Sequence, residues 1–257
     1  IIIRMNIKVI GNGEPLLLIH GWGMSGKIWD VIEVNLSKYY KLYIVDLPGM
    51  GKSDEIEDYT LKNLVKQLHK KLPKEISILG WSLGGIIALK YYETYPKNVT
   101  RLFLVATTPC FINKENWNLG VDESLLDKFY DQLAQSWSKT LNQFFMLQLI
   151  GSKNRKEIMK KLHSAFITKT PPKIKSLKSA LEILKKTDLI EIMDHIRIPT
   201  TIIVGENDKL TPIGASLFMQ DKIENSRVKI FKNAGHLPFL SHPKDFMDEV
   251  LYKFNCK

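Results

Sequence analysis

Three side chains spread along the chain are of the types that nucleophilic acyl transfer needs: Ser82, Asp208 and His236. A serine hydroxyl is a weak nucleophile, so it requires a base to take its proton and an acid to orient that base. Ser82 lies in GWSLGG, with Gly80 two residues before it and Gly84 two residues after. The apolar run at residues 76–79 ahead of it reads as a buried strand, and Ile86, Ile87, Leu89, Tyr91 and Tyr92 behind it follow a helical pattern. A serine at so tight a strand-to-helix corner projects its hydroxyl above the sheet, and flanking glycines let the chains pass closely. The helix that follows aims its free amides at the place where negative charge develops. A Gly-Ser-Gly turn in an ordinary loop is the rival reading; the strand before and the helix after decide for a nucleophile.

The base and the acid must come from loops at strand ends on the same sheet edge. Among six histidines, His236 stands in NAGH just past the last strand-like run, where such loops converge. His20 also follows a strand, but it opens the HGWG turn and reads as a structural hydrogen-bonding group. The acid should follow the strand at residues 200–204, where Glu206 and Asp208 stand in GENDKLTP. Asp208 is the better placed, with Glu206 available to orient the loop. The chain order serine, aspartate, histidine is that of α/β-hydrolases. An oxyanion hole needs two backbone amides: that of Leu83, directly after the serine, and that of Trp22 in the loop after the first central strand. Asp46, in DLPGMGKS, reads as a turn former.

The elements that position these residues form an alternation. Strand-like runs at residues 5–10, 16–19, 42–45, 76–79, 102–105, 200–204 and 228–231 are separated by helical patterns, one of them capped by Thr60. This predicts an α/β fold with a mostly parallel central sheet and helices on both faces. The alternation breaks at residues 111–186, where apolar spacing is helical throughout and Pro171-Pro172 separates the last two patterns. The expected division is a core of residues 1–110 and 187–257 with residues 111–186 inserted as a helical cap of about four helices.

Composition narrows the function further. The 257 residues are 44% hydrophobic and 25% charged, an ordinary globular balance. No apolar run approaches the roughly 20 residues of a membrane span, and the start lacks a secretory pattern, so a cytoplasmic protein is expected. Met5 is a candidate initiator, with residues 1–4 an upstream extension. Cys110 and Cys256 suggest neither a disulfide framework nor a metal site. The net charge of +10 is uneven: residues 152–178 hold nine basic residues and one acid, Glu157. A solvated lysine face on amphipathic helices and a site for an acidic partner both fit that stretch. Nucleic-acid binding lacks any recognisable motif.

Taken together, HGWG, DLPGMGKS, GWSLGG, GENDKLTP and NAGH resemble the α/β-hydrolase family over essentially the whole chain. A narrower likeness is carried by GWGM, LGWSLGG, ATTPCF with Trp117 after it, FFMLQ, LEILK and PFLSHP. These resemble the carboxylesterases that remove the methyl group from pimeloyl-acyl-carrier-protein methyl ester in biotin synthesis. The resemblance implies a serine esterase with Ser82, Asp208 and His236 as triad and neither metal nor organic cofactor. It implies substrate contacts at Trp22, Leu83, Phe144, Phe145, Met146, Leu147 and Gln148. It also gives the basic stretch a use, in docking the acidic acyl carrier protein through Lys139, Arg155, Lys156 and Lys160. That family's arginine-rich face is here mostly lysine, with neutral Gln143 at one matching position, and lysine lacks arginine's bidentate fork. The expected partners are thus the carrier and small acyl esters, with no nucleic acid or membrane, and the chain is expected to act as a monomer. The alternatives are a generalist carboxylesterase or carbon–carbon bond hydrolase of the same fold, and a receptor that keeps the pocket without catalysis.

Overall fold

The computed structural model describes residues 4–167 and 173–252. Residues Ile1, Ile2 and Ile3, the expected break at Pro171-Pro172, Lys169 and Cys256 lie outside the described residues. Seven strands form one sheet: β1 (Ile7–Ile10), β2 (Glu14–Ile19), β3 (Tyr40–Val45), β4 (Ile76–Trp81), β5 (Val99–Val105), β6 (Thr200–Gly205) and β7 (Ser226–Phe231). Their spatial order is β1-β3-β2-β4-β5-β6-β7. Only the β1–β3 edge pair is antiparallel; all other neighbours run parallel. All six residues of β4 are buried, although their side chains alternate between the two faces. That requires cover on both sides of the sheet. The cover comes from α1 (Asp30–Leu36), α2 (Leu61–His69), α3 (Leu83–Thr94), α7 (Ile213–Lys222), α8 (Pro238–Ser241) and α9 (Pro243–Leu251). Thr60 caps α2 as expected, its hydroxyl accepting from the Asn63 amide. Strand ends differ from the sequence reading: β1 begins at Ile7, Glu14 and Pro15 already belong to β2, and β3, β5 and β7 begin earlier, at Tyr40, Val99 and Ser226; the short α8 also precedes the last helix.

Between β5 and β6 stand α4 (Glu123–Gln148), α5 (Arg155–Phe166) and α6 (Ile174–Lys186). Three helices among the described residues stand where about four were expected, because the apolar helical spacing at residues 125–133 and at 141–145 belongs to the two halves of α4. Ser136 breaks the helix between them with φ −159° and ψ 87°. The residues ahead of α4 are a bridged loop and not a helix, with Ile112 paired to Val121 and the Trp117 indole donating to the Cys110 carbonyl. The chain leaves the sheet layer and returns to it side by side: the Leu189 amide donates to Pro109 O, and Lys114 pairs with Asp188. The α4–α6 unit is also tied to residues that follow strands. The Trp22 indole donates to Leu177 O, the His236 amide to Gln148 O, and the Lys153 amide to Asn233 O. It therefore sits over the carboxyl ends of β2 and β7.

Candidate active site

The sequence forces Ser82 into its position. It is the single residue between β4 and α3, buried, with φ 55° and ψ −118°. Such a backbone costs a non-glycine residue about 1–3 kcal/mol and persists only where the surroundings over-determine it. Here they do. The Ser82 amide donates to Val105 O, and its carbonyl accepts from the Gly85 amide and from the Thr107 hydroxyl at 2.8 Å. Both flanking glycines are required by close approach. A Cβ on Gly80 would stand 2.3 Å from Gly84 O, and one on Gly84 would stand 2.2 Å from Ile19 O.

His236 follows β7 and Asp208 follows β6. The His236 Nδ1–H donates to Asp208 Oδ2 at 2.8 Å, and both side chains are almost wholly buried. Asp208 is held in turn by the Leu210 and Thr211 amides on Oδ1 and the Thr211 hydroxyl on Oδ2. Burial pushes the Asp208 carboxyl up, but the charge of His236 and the hydrogen bonds from His236 and Thr211 outweigh it. The carboxyl lies below its ordinary range. The far ring nitrogen, His236 Nε2, is buried without a partner among the described residues. An imidazole oriented at one nitrogen and vacant at the other is arranged to take and return a proton. Glu206 does something else: its Oε2 accepts from the Asn233 amide and braces the loop that carries His236.

Two further bonds fix the His236 backbone. Its amide donates to Gln148 O, and its carbonyl accepts from the Trp81 indole at 2.9 Å. Trp81, Thr107, Thr211 and Ser152, whose hydroxyl takes the Gly235 amide, are supporting residues that motif reading missed. For Thr107 a signal existed in the sheet order: β5 lies beside β4, so the residues after Val105 must abut Ser82.

The donors expected for an oxyanion are close by. Leu83 is the first residue of α3, so its amide has no intrahelical partner. Trp22 adjoins Gly21, where a Cβ would stand 3.3 Å from Ser82 Cβ. His20 plays the structural part expected of it. Its Nδ1–H donates to Gly21 O and its Nε2 accepts from the Leu47 amide, while burial pulls its pKa down. Asp46 does more than form a turn, accepting from the Gly26 and Lys52 amides and the Asn6 side chain.

Of the seven residues expected at the substrate, the five on α4 divide. The Phe144 ring stands edge-on to the Trp22 indole at 4.8 Å between centroids, with Phe129 completing the cluster. Phe145 instead packs on Phe166. Leu147 is partly buried against the core. Gln148 is buried with both side-chain polar atoms unpartnered among the described residues, a costly state for an amide that nothing fills. Met146 differs from its neighbours in being 43% exposed. Lys139, Arg155, Lys156 and Lys160 are all exposed on α4 and α5. No group of three or more His, Cys, Asp or Glu residues among the described residues is placed to hold a metal ion. No helix among them is long and apolar enough to cross a membrane.

Comparison with known proteins follows the same lines. Residues 14–243 match the family model described as alpha/beta hydrolase fold. The pimeloyl-[acyl-carrier protein] methyl ester esterase of Nitrosomonas europaea is 36% identical over 243 residues, covering 95% of this chain and 96% of that protein. The enzyme of the same name from Aliivibrio fischeri is 37% identical, covering 93% of each. Among solved structures, an esterase from Exiguobacterium antarcticum superposes with a TM-score of 0.88 at 23% identity, covering 97% of this chain and 94% of that one.

Proposed function

Because this chain belongs to the α/β-hydrolase family, and within it to the pimeloyl-[acyl-carrier protein] methyl ester esterases, we propose that it is a serine carboxylesterase that hydrolyses the methyl ester of a pimeloyl chain carried on acyl carrier protein. The products are methanol and the free terminal carboxylate, still tethered to the carrier, for biotin synthesis. In this reading residues 111–186 are the cap and the enzyme acts as a single copy.

Ser82 Oγ adds to the ester carbonyl carbon while its proton passes to His236 Nε2. Asp208 holds the imidazole in the tautomer that leaves Nε2 free and stabilises the imidazolium that forms. The oxyanion is met by the amides of Trp22 and Leu83, each worth about 10²–10³ in rate where such donors have been removed. The methoxy C–O bond then breaks and His236 returns the proton to methanol. Water, deprotonated by His236, attacks the acyl-enzyme and releases the carboxylic acid and Ser82. Phe144, with Trp22 and Phe129, offers the apolar wall that a seven-carbon chain needs. The basic residues Lys139, Arg155, Lys156 and Lys160 receive the acidic carrier.

The observation that carries this reading is the buried Asp208–His236 pair with a vacant Nε2, beside a serine held at a strained corner. Its test is hydrolysis of pimeloyl-carrier methyl ester against the free dimethyl ester and p-nitrophenyl butyrate. The expected result is a methanol burst matched by an acyl adduct on Ser82, with the carrier ester the best substrate by kcat/KM. A best substrate of another class, with the carrier ester untouched, overturns the assignment.

A further inference from the structure

The turn that carries Asp208 closes on its own side chain. The amides of Leu210 and Thr211 both donate to Asp208 Oδ1, at 2.8 and 3.0 Å. An aspartate readily takes amides two and three residues further on, and doing so pins the turn. Pro212, with φ −58° and no N–H to satisfy, then leads into α7. Thr211 is thereby held fully buried, its hydroxyl donating to Asp208 Oδ2 at 2.6 Å. The same oxygen accepts the His236 Nδ1–H at 2.8 Å. The direction of the threonine bond is fixed, because an ionised carboxylate only accepts. Its length is that of a charge-assisted bond.

One oxygen therefore serves two donors, and they compete for its charge. A hydroxyl on a carboxylate stabilises the anion whatever the state of the imidazole, and leaves less negative charge with which to hold an imidazolium. The other charges nearby stand apart from this pair. Glu206 and Lys209 on the same loop, Lys232 on the loop after β7 and Lys153 beyond α4 are all exposed. Glu206 is turned to the Asn233 amide, and His242, the next histidine along the chain, bonds Ser241. From β4 and α4 the surroundings of His236 receive only the uncharged Trp81 indole and the Gln148 carbonyl. His236 is accordingly the charge that draws the Asp208 carboxyl down, with the Thr211 donors beside it.

We propose that Thr211 is a positioning residue of the acid–base pair: its hydroxyl sets how tightly Asp208 holds the imidazolium, and with it the pH range over which the enzyme works. The inference rests on the serine-esterase reading above and gives the loop after β6 a second functional side chain, one that acts through Asp208. Threonine suits the part because its branched Cβ restricts the hydroxyl to few rotamers. The donor stays on Oδ2 while the proton passes to and from Nε2 on the far side of the ring.

The test is kcat/KM against pH, between about pH 5 and 9, with dimethyl pimelate, an ester that does not titrate. Thr211→Val keeps the shape and removes the donor. The acid limb should then move up by about 0.5–1 pH unit, since an imidazolium held more tightly gives up its proton later as pH rises. KM should stay unchanged, and the alkaline plateau of kcat should fall only a few-fold, far less than in Asp208→Asn. Thr211→Ser should restore the wild-type limb. Thr211→Cys, a weaker donor, should fall between the two, which keeps the proposal testable if the valine variant does not fold. NMR titration of the His236 ring should show the same upward shift without any turnover. A limb and a ring titration that stay in place without the hydroxyl, or move to lower pH, overturn the proposal and leave Thr211 a packing residue. An enzyme that forms no acyl adduct on Ser82 and cleaves no ester fails at the esterase reading. That result is distinct from an unmoved limb, because the ring titration still reports whether the hydroxyl governs the pair.

Discussion

The surroundings of Ser82 and the outer surface of α5 and α6 are built on opposite terms. Around Ser82, His236 and Asp208 the chain supplies its own partners: carbonyls, amides, hydroxyls and an indole converge from β4, β5, β6, β7 and α4. On α5 and α6 most charges face water; Lys185 reaches across to Glu123 and Asp127 of α4, while Lys161 with Glu157 and Lys186 with Glu182 are i,i+4 contacts on the helix surface. Such pairs are worth only about 0.3–0.5 kcal/mol. The first region is complete before a substrate arrives. The second acquires its energetic meaning only from a partner. Substitutions in the two regions should therefore differ in which substrates they affect.

The sharpest contrast is in the chemistry. Ser82→Ala or His236→Ala should lower kcat by something on the order of 10⁶, and Asp208→Asn by roughly 10⁴, on every ester alike. Glu206→Gln should leave kcat within a few-fold, since its carboxylate braces only the Asn233 amide. A silent Asp208→Asn with a crippled Glu206→Gln would exchange their roles. Next come the two phenylalanines. Phe145→Ala removes a fully buried ring on Phe166 and should cost about 3–5 kcal/mol of stability by urea denaturation. Phe144→Ala should instead weaken kcat/KM for a seven-carbon ester by about 1–3 kcal/mol relative to an acetyl ester. Equal losses on both esters would make Phe144 a packing residue only.

Smaller still is the effect of the basic face. Reversing Lys156 and Lys160 to glutamate should reduce kcat/KM about tenfold for the carrier ester and leave p-nitrophenyl butyrate constant. Added salt should weaken the wild type in the same substrate-selective way, because exposed charges are screened within about 8–10 Å. Parallel loss on both esters would point to a disturbed cap fold. The mildest effect concerns His20, whose pKa burial lowers from 6.5. The unfolded chain then binds the proton first as pH falls, so stability present above about pH 6.5 should fade below it. The urea midpoint should drop between pH 7 and 5, and His20→Gln should flatten that drop even though it starts lower. An unchanged slope would clear His20 of any part in it.

What could be read without coordinates follows the same divide. GWSLGG, GENDKLTP and NAGH announced Ser82, Asp208 and His236 because the strain of a corner and the ends of parallel strands restrict residue type locally. Trp81 and Thr107 escaped notice because their partners lie across neighbouring strands, and nothing in an indole or a hydroxyl declares its acceptor. The two halves of α4 looked like two helices because Ser136 interrupts the apolar spacing without ending the element. FFMLQ gave no sign that its residues part company, since a helix turns successive residues by about 100° and sends the Phe144 ring to Trp22 and the Phe145 ring to Phe166. The groove beside Gly23, which Met24, Met50, Leu141 and Phe166 also line, left no trace in any single stretch, since its walls come from segments more than 80 residues apart.

The backbone of His236 has a consequence beyond holding the ring. Its amide is held by Gln148 at the end of α4 and its carbonyl by Trp81, the residue before the nucleophile. The two grips come from opposite sides of the cleft and act as an interlock. The aim of the imidazole is therefore set jointly by the end of α4 and by the strand that ends at the nucleophile, so the base belongs to neither layer alone.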